Sequence, residues 1–151
     1  MTRARLVLLL AAACTSLGLA CSPAPEPSDL PTATIRGTVV ALDVARTPAE
    51  QSLGLGNRDS LAWDHGMLFL YQPPGFPTFW MKRMRFDIDI VWIREGRIVG
   101  ISSFVPYPRE DPDNPATVPA PELVDTVLEV PAGYARAHSW RRGDRVELSG
   151  V

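Results

Sequence analysis

The chain has 151 residues, with 15 Lys or Arg against 17 Asp or Glu for a formal charge of −2, and 46% of its residues are apolar. That is the make-up of one ordinary globular domain, and it excludes a chain disordered throughout, a collagen repeat or a coiled coil. The near-neutral charge and pI ≈ 5.6 leave no basic footprint for nucleic acid, and fifteen Pro with eleven Gly exclude a helical bundle in favour of short strands joined by rigid loops.

Arg3 and Arg5 precede an uncharged apolar run from Leu6 to Ala20, fifteen residues long. A membrane-spanning helix needs about 20 such residues. A shorter run, basic in front and rich in small residues behind, reads as an export signal. It ends in Leu17-Gly18-Leu19-Ala20-Cys21, which resembles a bacterial lipoprotein signal whose cysteine takes the lipid and becomes the new N-terminus. The Leu preferred three residues before that cysteine is Gly18 here. Ala11-Ala12-Ala13-Cys14 is a rival site with a shorter apolar segment. Cleavage before Cys21 predicts an extracytoplasmic protein, held by its lipid on the cell membrane or on the outer membrane facing the periplasm. Cys14 and Cys21 being the only cysteines, the folded part is then cysteine-free and rests on its core rather than on disulfides.

The stretch Ser22 to Pro31 carries four prolines and reads as an extended tether, reaching about 3.1 Å per residue. The predicted organisation is a signal over 1–20, a Pro-rich tether over 21–33 and a single β-rich domain over 34–151. Ile35 to Val44 predicts one strand or a strand pair bent near Gly37. Thr47-Pro48-Ala49-Glu50 is a capping box, with Thr47 as N-cap and Glu50 reaching back, and it starts a short helix ended by Gly54 or Gly56. Gly66 to Tyr71 predicts an apolar strand closed by Pro73-Pro74-Gly75, and Phe79 to Met84 another. Ile88 to Ile93 and Arg97 to Val105 predict a hairpin about Glu95-Gly96. Tyr107 to Pro121, with five prolines, predicts a long loop without a strand. Leu123 to Val130 is a strand, Ala132 to His138 a helical turn, and Asp144 to Leu148 a final strand. The fold class predicted is mainly β: a compact antiparallel sandwich or barrel-like domain with one short capped helix and a Pro-rich loop.

The chemical inventory is narrow. His65 and His138 stand 73 residues apart, in no zinc-ligand spacing, and His65 beside Asp64 reads as a surface turn; no metal and no cofactor is expected. No serine lies in a nucleophile elbow, and Gly54-Leu55-Gly56 follows a helix instead of linking a strand to one, so it is not a phosphate loop. The informative residues are charges set in apolar strands: Lys82 after Phe79-Trp80-Met81, Asp89 between Ile88 and Ile90, and Glu129 between Leu128 and Val130. Burying a lone ion costs several kcal/mol. With Arg58 these form a candidate cluster, either a structural brace or a ligand site, in which Asp89 is expected to pair with Lys82 or Arg58 and Glu129 to stand nearby. Trp80 and Met81, with Trp63, Phe76 and Trp92, are candidates to line an apolar pocket.

The series Thr47, Glu50, Gly54-Leu55, Arg58, Leu61, then Gly66-Met67-Leu68-Phe69, Phe79-Trp80-Met81-Lys82, Asp89, Leu128-Glu129, Ala132-Gly133 and Gly143-Asp144-x-Val146 resembles the domain-of-unknown-function family 192. The resemblance runs from about Val39 to Leu148 and implies a compact β-sandwich or barrel-like fold in a small exported bacterial protein, without supplying an activity. It marks Glu50, Gly54, Arg58, Gly66, Met67, Trp80, Met81, Lys82, Asp89, Glu129 and Gly133 as motif positions. The chain departs from the pattern at Arg83-Met84, where Asn-Thr is usual, and at Asp87, where Pro is. The reading taken is a membrane-anchored binding or accessory module for a small molecule or envelope polymer, using the Trp80–Lys82 segment and nearby carboxylates. The alternative is a carboxylate-dependent enzyme acting on cell-envelope glycan.

Overall fold

The computed structural model describes residues 30–151. The expected export signal over 1–20, Cys14, Cys21 and nearly all of the expected tether lie outside the described residues. β1 (Thr32–Ile35) and β2 (Thr38–Ala45) form an antiparallel hairpin whose turn residues, Arg36 and Gly37, take φ of 51° and 80°. Positive φ at both positions matches the twist of the flanking strands, so the apolar stretch is a strand pair. β1 starts at Thr32, two residues ahead of Thr34. Thr32 and Ala33 are laddered to β2 on one side and to β9 (Val146–Ser149) on the other.

The capping box forms. The Glu50 amide donates to Thr47 Oγ1 at 3.2 Å, and the Thr47 amide donates to Glu50 Oε2 at 2.8 Å. Pro48 opens α1 (Pro48–Leu53), and Gly54 ends it at φ 53°, ψ −135°, backbone that a side chain would strain. α1 buries none of its own residues, so the cap is a principal support. Thr47→Ala is expected to lower stability by about 0.5–2 kcal/mol, read from urea melts; an unchanged midpoint would mean that other contacts hold the helix start.

β3 (His65–Gly75) runs parallel to β2 and antiparallel to β8 (Val124–Pro131). A parallel pair needs a crossover, and residues 46–64 with α1 supply it. β3 does not close at Pro73-Pro74. Its pairing with β8 is interrupted after Leu70 and resumes at Gly75, so the prolines occupy an irregular stretch that asks no amide of them. Strand structure after Pro77 is shorter than expected: β4 (Thr78–Trp80) stops before Lys82, which enters a turn with Arg83 at φ 62°. β4 pairs with β7 (Thr117–Pro119), a short strand inside the segment expected to be loop, with Pro119 at its end. β5 (Ile88–Arg94) and β6 (Arg97–Val105) form the predicted hairpin about Glu95–Gly96, and α2 (Tyr134–Ala137) is the predicted helical turn.

The seven-stranded sheet has the order β6-β5-β8-β3-β2-β1-β9 and curls into a half-barrel beside the small β4–β7 ribbon. Alternation along each strand divides its side chains between two faces. Leu42, Leu68, Val91 and Leu128 pack on one face with Tyr134 and Trp140. Met67, Phe69, Ile90, Trp92 and Val127 pack on the other, under Leu55, Met81 and Met84.

Candidate functional site

Glu129, central in β8, lies opposite Met67 of β3 and Ile90 of β5. Met67 lies in turn opposite Asp43 of β2. These register positions put Asp43, Met67, Glu129 and Ile90 in a row across one face of the sheet. Glu129 is 5% exposed, and its Oε2 has no hydrogen-bond partner. The turn after α1 closes over it: a Cβ on Gly54 would stand 3.9 Å from Glu129 Oε2 and 3.6 Å from Phe69 Cζ. A cavity of about 20 Å³ remains among Glu129, Gly54, Phe69, Phe79, Trp80 and Met84, room for one water-sized group. Burial pushes the Glu129 carboxyl up to about 8, against the opposing pull of the Arg58 guanidinium.

Arg58 itself bonds Asp43, Nη1 to Oδ2 at 2.6 Å, with both side chains substantially exposed. An ion pair in that setting adds roughly 0–1 kcal/mol, so Arg58 matters here for the positive potential it casts on Glu129. Trp80, 46% exposed, stands over the cavity with its indole N–H donating to the Ser52 carbonyl at 3.3 Å. Lys82 Nζ lies 5.0 Å from the centre of the indole, a cation–π distance. Ser52 and Trp80 border two open grooves, one of about 430 Å³ flanked by Lys82 and Arg83, the other of about 300 Å³ flanked by Gln51, Tyr71, Thr78 and Phe79. The half-buried Tyr71 hydroxyl is pushed up to about 12, first by burial and then by the Glu129 charge.

Asp89 is elsewhere. It lies opposite Val130, one step along from the Ile90–Glu129 pair, and alternation turns it to the opposite face. There its Oδ1 accepts from the Phe104 and Gly133 amides at 2.8 and 3.0 Å, and its Oδ2 from the Ala135 amide at 3.0 Å. Gly133 is the N-cap of α2, and its lack of a side chain leaves the helix no cap of its own. Asp89 caps α2 from a distant strand, where its negative charge suits the helix start. The expected pairing of Asp89 with Lys82 or Arg58 is therefore corrected: Lys82 lies over Trp80, Arg58 is on Asp43, and backbone amides satisfy Asp89.

The candidate aromatics also separate. Met81 and Trp92 are buried in the core, Phe76 is 69% exposed, and Trp63 packs on Tyr134 at 4.9 Å; of the five, only Trp80 borders the grooves. Thr47 and Glu50 serve the helix cap, and two backbone amides, of Thr47 and Arg46, hold the Glu50 carboxyl below the usual carboxylate range. His65 bonds its neighbour Asp64 at 2.8 Å, and His138 bonds Thr38 at 3.2 Å. Among the described residues no three His, Cys, Asp or Glu side chains gather as a metal site, and no helix is long and apolar enough to cross a membrane. Residues overlooked in the sequence are Asp43, Gln51 and Tyr71. Asp43, a lone acid in an apolar strand, carried the same signal as Asp89 and Glu129.

The site lies within a fold shared with solved proteins. A protein of unknown function from Novosphingobium aromaticivorans DSM 12444 is 32% identical, with a TM-score of 0.69 over 90% of this chain and 99% of its own. A Sinorhizobium meliloti 1021 protein described as a candidate transcription regulator is 28% identical, with a TM-score of 0.69 over 83% of this chain and 99% of its own. No curated protein matches the chain. The family DUF192, described as Uncharacterized ACR, COG1430, matches residues 31–148, which hold the sheet, both helices and the Trp80–Glu129 crevice, and the chain belongs to that family.

Proposed function

We propose that this protein is a lipid-anchored extracytoplasmic binding module that holds a small molecule, or one unit of an envelope polymer, in the crevice between Trp80 and Glu129. The observation that carries the reading is the Glu129 carboxyl, buried with its Oε2 unpartnered on a water-sized cavity. Leaving a buried polar group unpartnered costs about 1–3 kcal/mol. Such a cost is characteristic of sites, where a ligand supplies the missing partner. The anchor rests on Arg3, Arg5, the apolar run to Ala20 and Cys21.

Two measurements test the two halves. Wild-type protein expressed in a bacterial host should fractionate with membranes and begin at an acylated Cys21, while Cys21→Ser should be released. An unmodified N-terminus, or one at Cys14, overturns the anchor. For binding, ligand-observed NMR on the mature protein with neutral monosaccharides, primary amines and short carboxylates should find at least one class that binds and is lost in Glu129→Leu. Binding by none of the three overturns the site.

A carboxyl pushed up to about 8 also suits a general acid, which keeps a carboxylate-dependent enzyme acting on envelope glycan as the second reading. Glycan hydrolysis that disappears in Glu129→Gln while binding persists would select it.

A further inference from the structure

The groove on the Tyr71 side of Trp80 differs from its neighbour in charge. Lys82 and Arg83 flank the neighbour, whereas Gln51, Ser52, Tyr71, Thr78, Phe79 and Trp80 line this one without a formal charge. Its volume of about 300 Å³ is at the small end of ligand clefts. Gln51, Ser52, Phe79 and Trp80 also line the inner cavity that ends on Glu129, so groove and cavity share one wall. That wall offers aromatic surface at Phe79 and Trp80, while Tyr71, Thr78 and Ser52 carry hydroxyls. The Gln51 amide group donates to the carbonyls of Ala45 and Leu70 at 3.4 and 3.3 Å, which fixes the direction of its side chain.

The geometry points to a neutral pyranose as the occupant, its ring against Trp80 and one of its hydroxyls in the small cavity against Glu129 Oε2. This deepens the binding-module reading and rests on it. A pyranose presents a face of C–H groups that suits an aromatic ring and a rim of hydroxyls that suits Tyr71 and Thr78. The cavity admits one water-sized group, and a hydroxyl oxygen is of that size. A hydroxyl both donates and accepts, so it meets a carboxyl in either protonation state. A cationic ligand group is disfavoured by Arg58, whose charge already acts on Glu129, and by Lys82 over the indole. An anionic group would meet the partly charged carboxyl with no cation lining the groove.

The test titrates the mature protein with methyl β-glucoside, N-acetylglucosamine, n-butylamine and propionate, followed by tryptophan fluorescence and ligand-observed NMR. The sugars are expected to bind, and Trp80→Ala and Glu129→Leu should each weaken them about tenfold or more. Glu129→Gln should change them by no more than about threefold, because an amide also donates and accepts. Folding of each variant is checked by its thermal transition, and Glu129→Gln is the variant expected to fold without loss. Binding of butylamine or propionate alone overturns the pyranose assignment and leaves the binding module standing. Sugar binding indifferent to both Trp80→Ala and Glu129→Leu places the sugar elsewhere and overturns the assignment as well. Binding of no probe overturns both.

Discussion

Asp89→Asn is expected to destabilise the domain by about 3 kcal/mol. Asp89 is 0% exposed and accepts from three backbone amides, those of Phe104, Gly133 and Ala135. Asn keeps one acceptor oxygen and replaces the other with an N–H₂ group. Whichever way the amide is turned, a donor faces a donor where water has no access. One charge-assisted bond is lost, the remainder are weakened, and the buried amide left behind adds its desolvation cost. The effect spreads because Asp89 ties β5 to the end of β6 and to the start of α2. Phe104, at φ 54°, donates its backbone N–H to Asp89 Oδ1, and its ring would lie 3.0 Å from a Cβ on Gly133. Urea melts give the size of the loss, and hydrogen exchange should show the Gly133 and Ala135 amides losing protection first. A loss below about 1 kcal/mol would count against Asp89 as the cap of α2. Combining Asp89→Asn with Lys82→Met should give additive losses within about 0.5 kcal/mol, since the two groups share no partner.

Glu129→Gln should act in the opposite direction. The Glu129 carboxyl titrates near 4.5 in the unfolded chain and is pushed up to about 8 in the folded protein, first by burial, with Arg58 pulling the other way. Between those values the folded state holds a proton that the unfolded state has released, so stability falls as pH rises. The contribution is intact below pH 4.5 and fully lost above about 8. At 1.36 kcal/mol per unit, the raised value costs about 3 kcal/mol of stability at pH 7, where the folded carboxyl still holds its proton, and about 5 kcal/mol at pH 9, where it has ionised. Gln does not ionise. Glu129→Gln should therefore match wild type near pH 4.5, exceed it by about 3 kcal/mol at pH 7, and flatten the fall in stability between pH 5 and 9. Urea melts at pH 5, 7 and 9 measure all three. A difference that does not grow with pH would show that the carboxyl is ionised without penalty, through solvent reaching the cavity.

Local signals in the sequence settle much of the domain. The Thr47–Glu50 capping box forms because its hydrogen bonds join residues three apart. The turns at Arg36–Gly37 and Glu95–Gly96 and the Gly54 helix stop also follow from backbone preferences of one or two residues. Apolar alternation and spacing identify a β-rich domain and most of its strands. The misplaced elements, β4, β7 and the end of β3, are those whose strand character comes from a distant partner. Thr117–Pro119 is extended because Thr78–Trp80 lies beside it, and no local propensity in a Pro-rich segment encodes that pairing.

The candidate charges show the same division. An acid within an apolar strand stands out in sequence, and Asp89 and Glu129 are both buried. Their partners are set by register. Because side chains alternate with period 2, a one-residue difference in pairing decides the face: Ile90 faces Glu129 and Val130 faces Asp89, which turns the two carboxylates to opposite sides of the sheet. On one side the amides of α2 and Phe104 receive Asp89 and make it structural. On the other the turn after α1 and the Trp80 wall close over Glu129 without supplying a partner for its Oε2. Equivalent residue types in equivalent strand contexts thus acquire different chemistry, because only the packing of remote segments determines which polar groups reach a buried carboxylate.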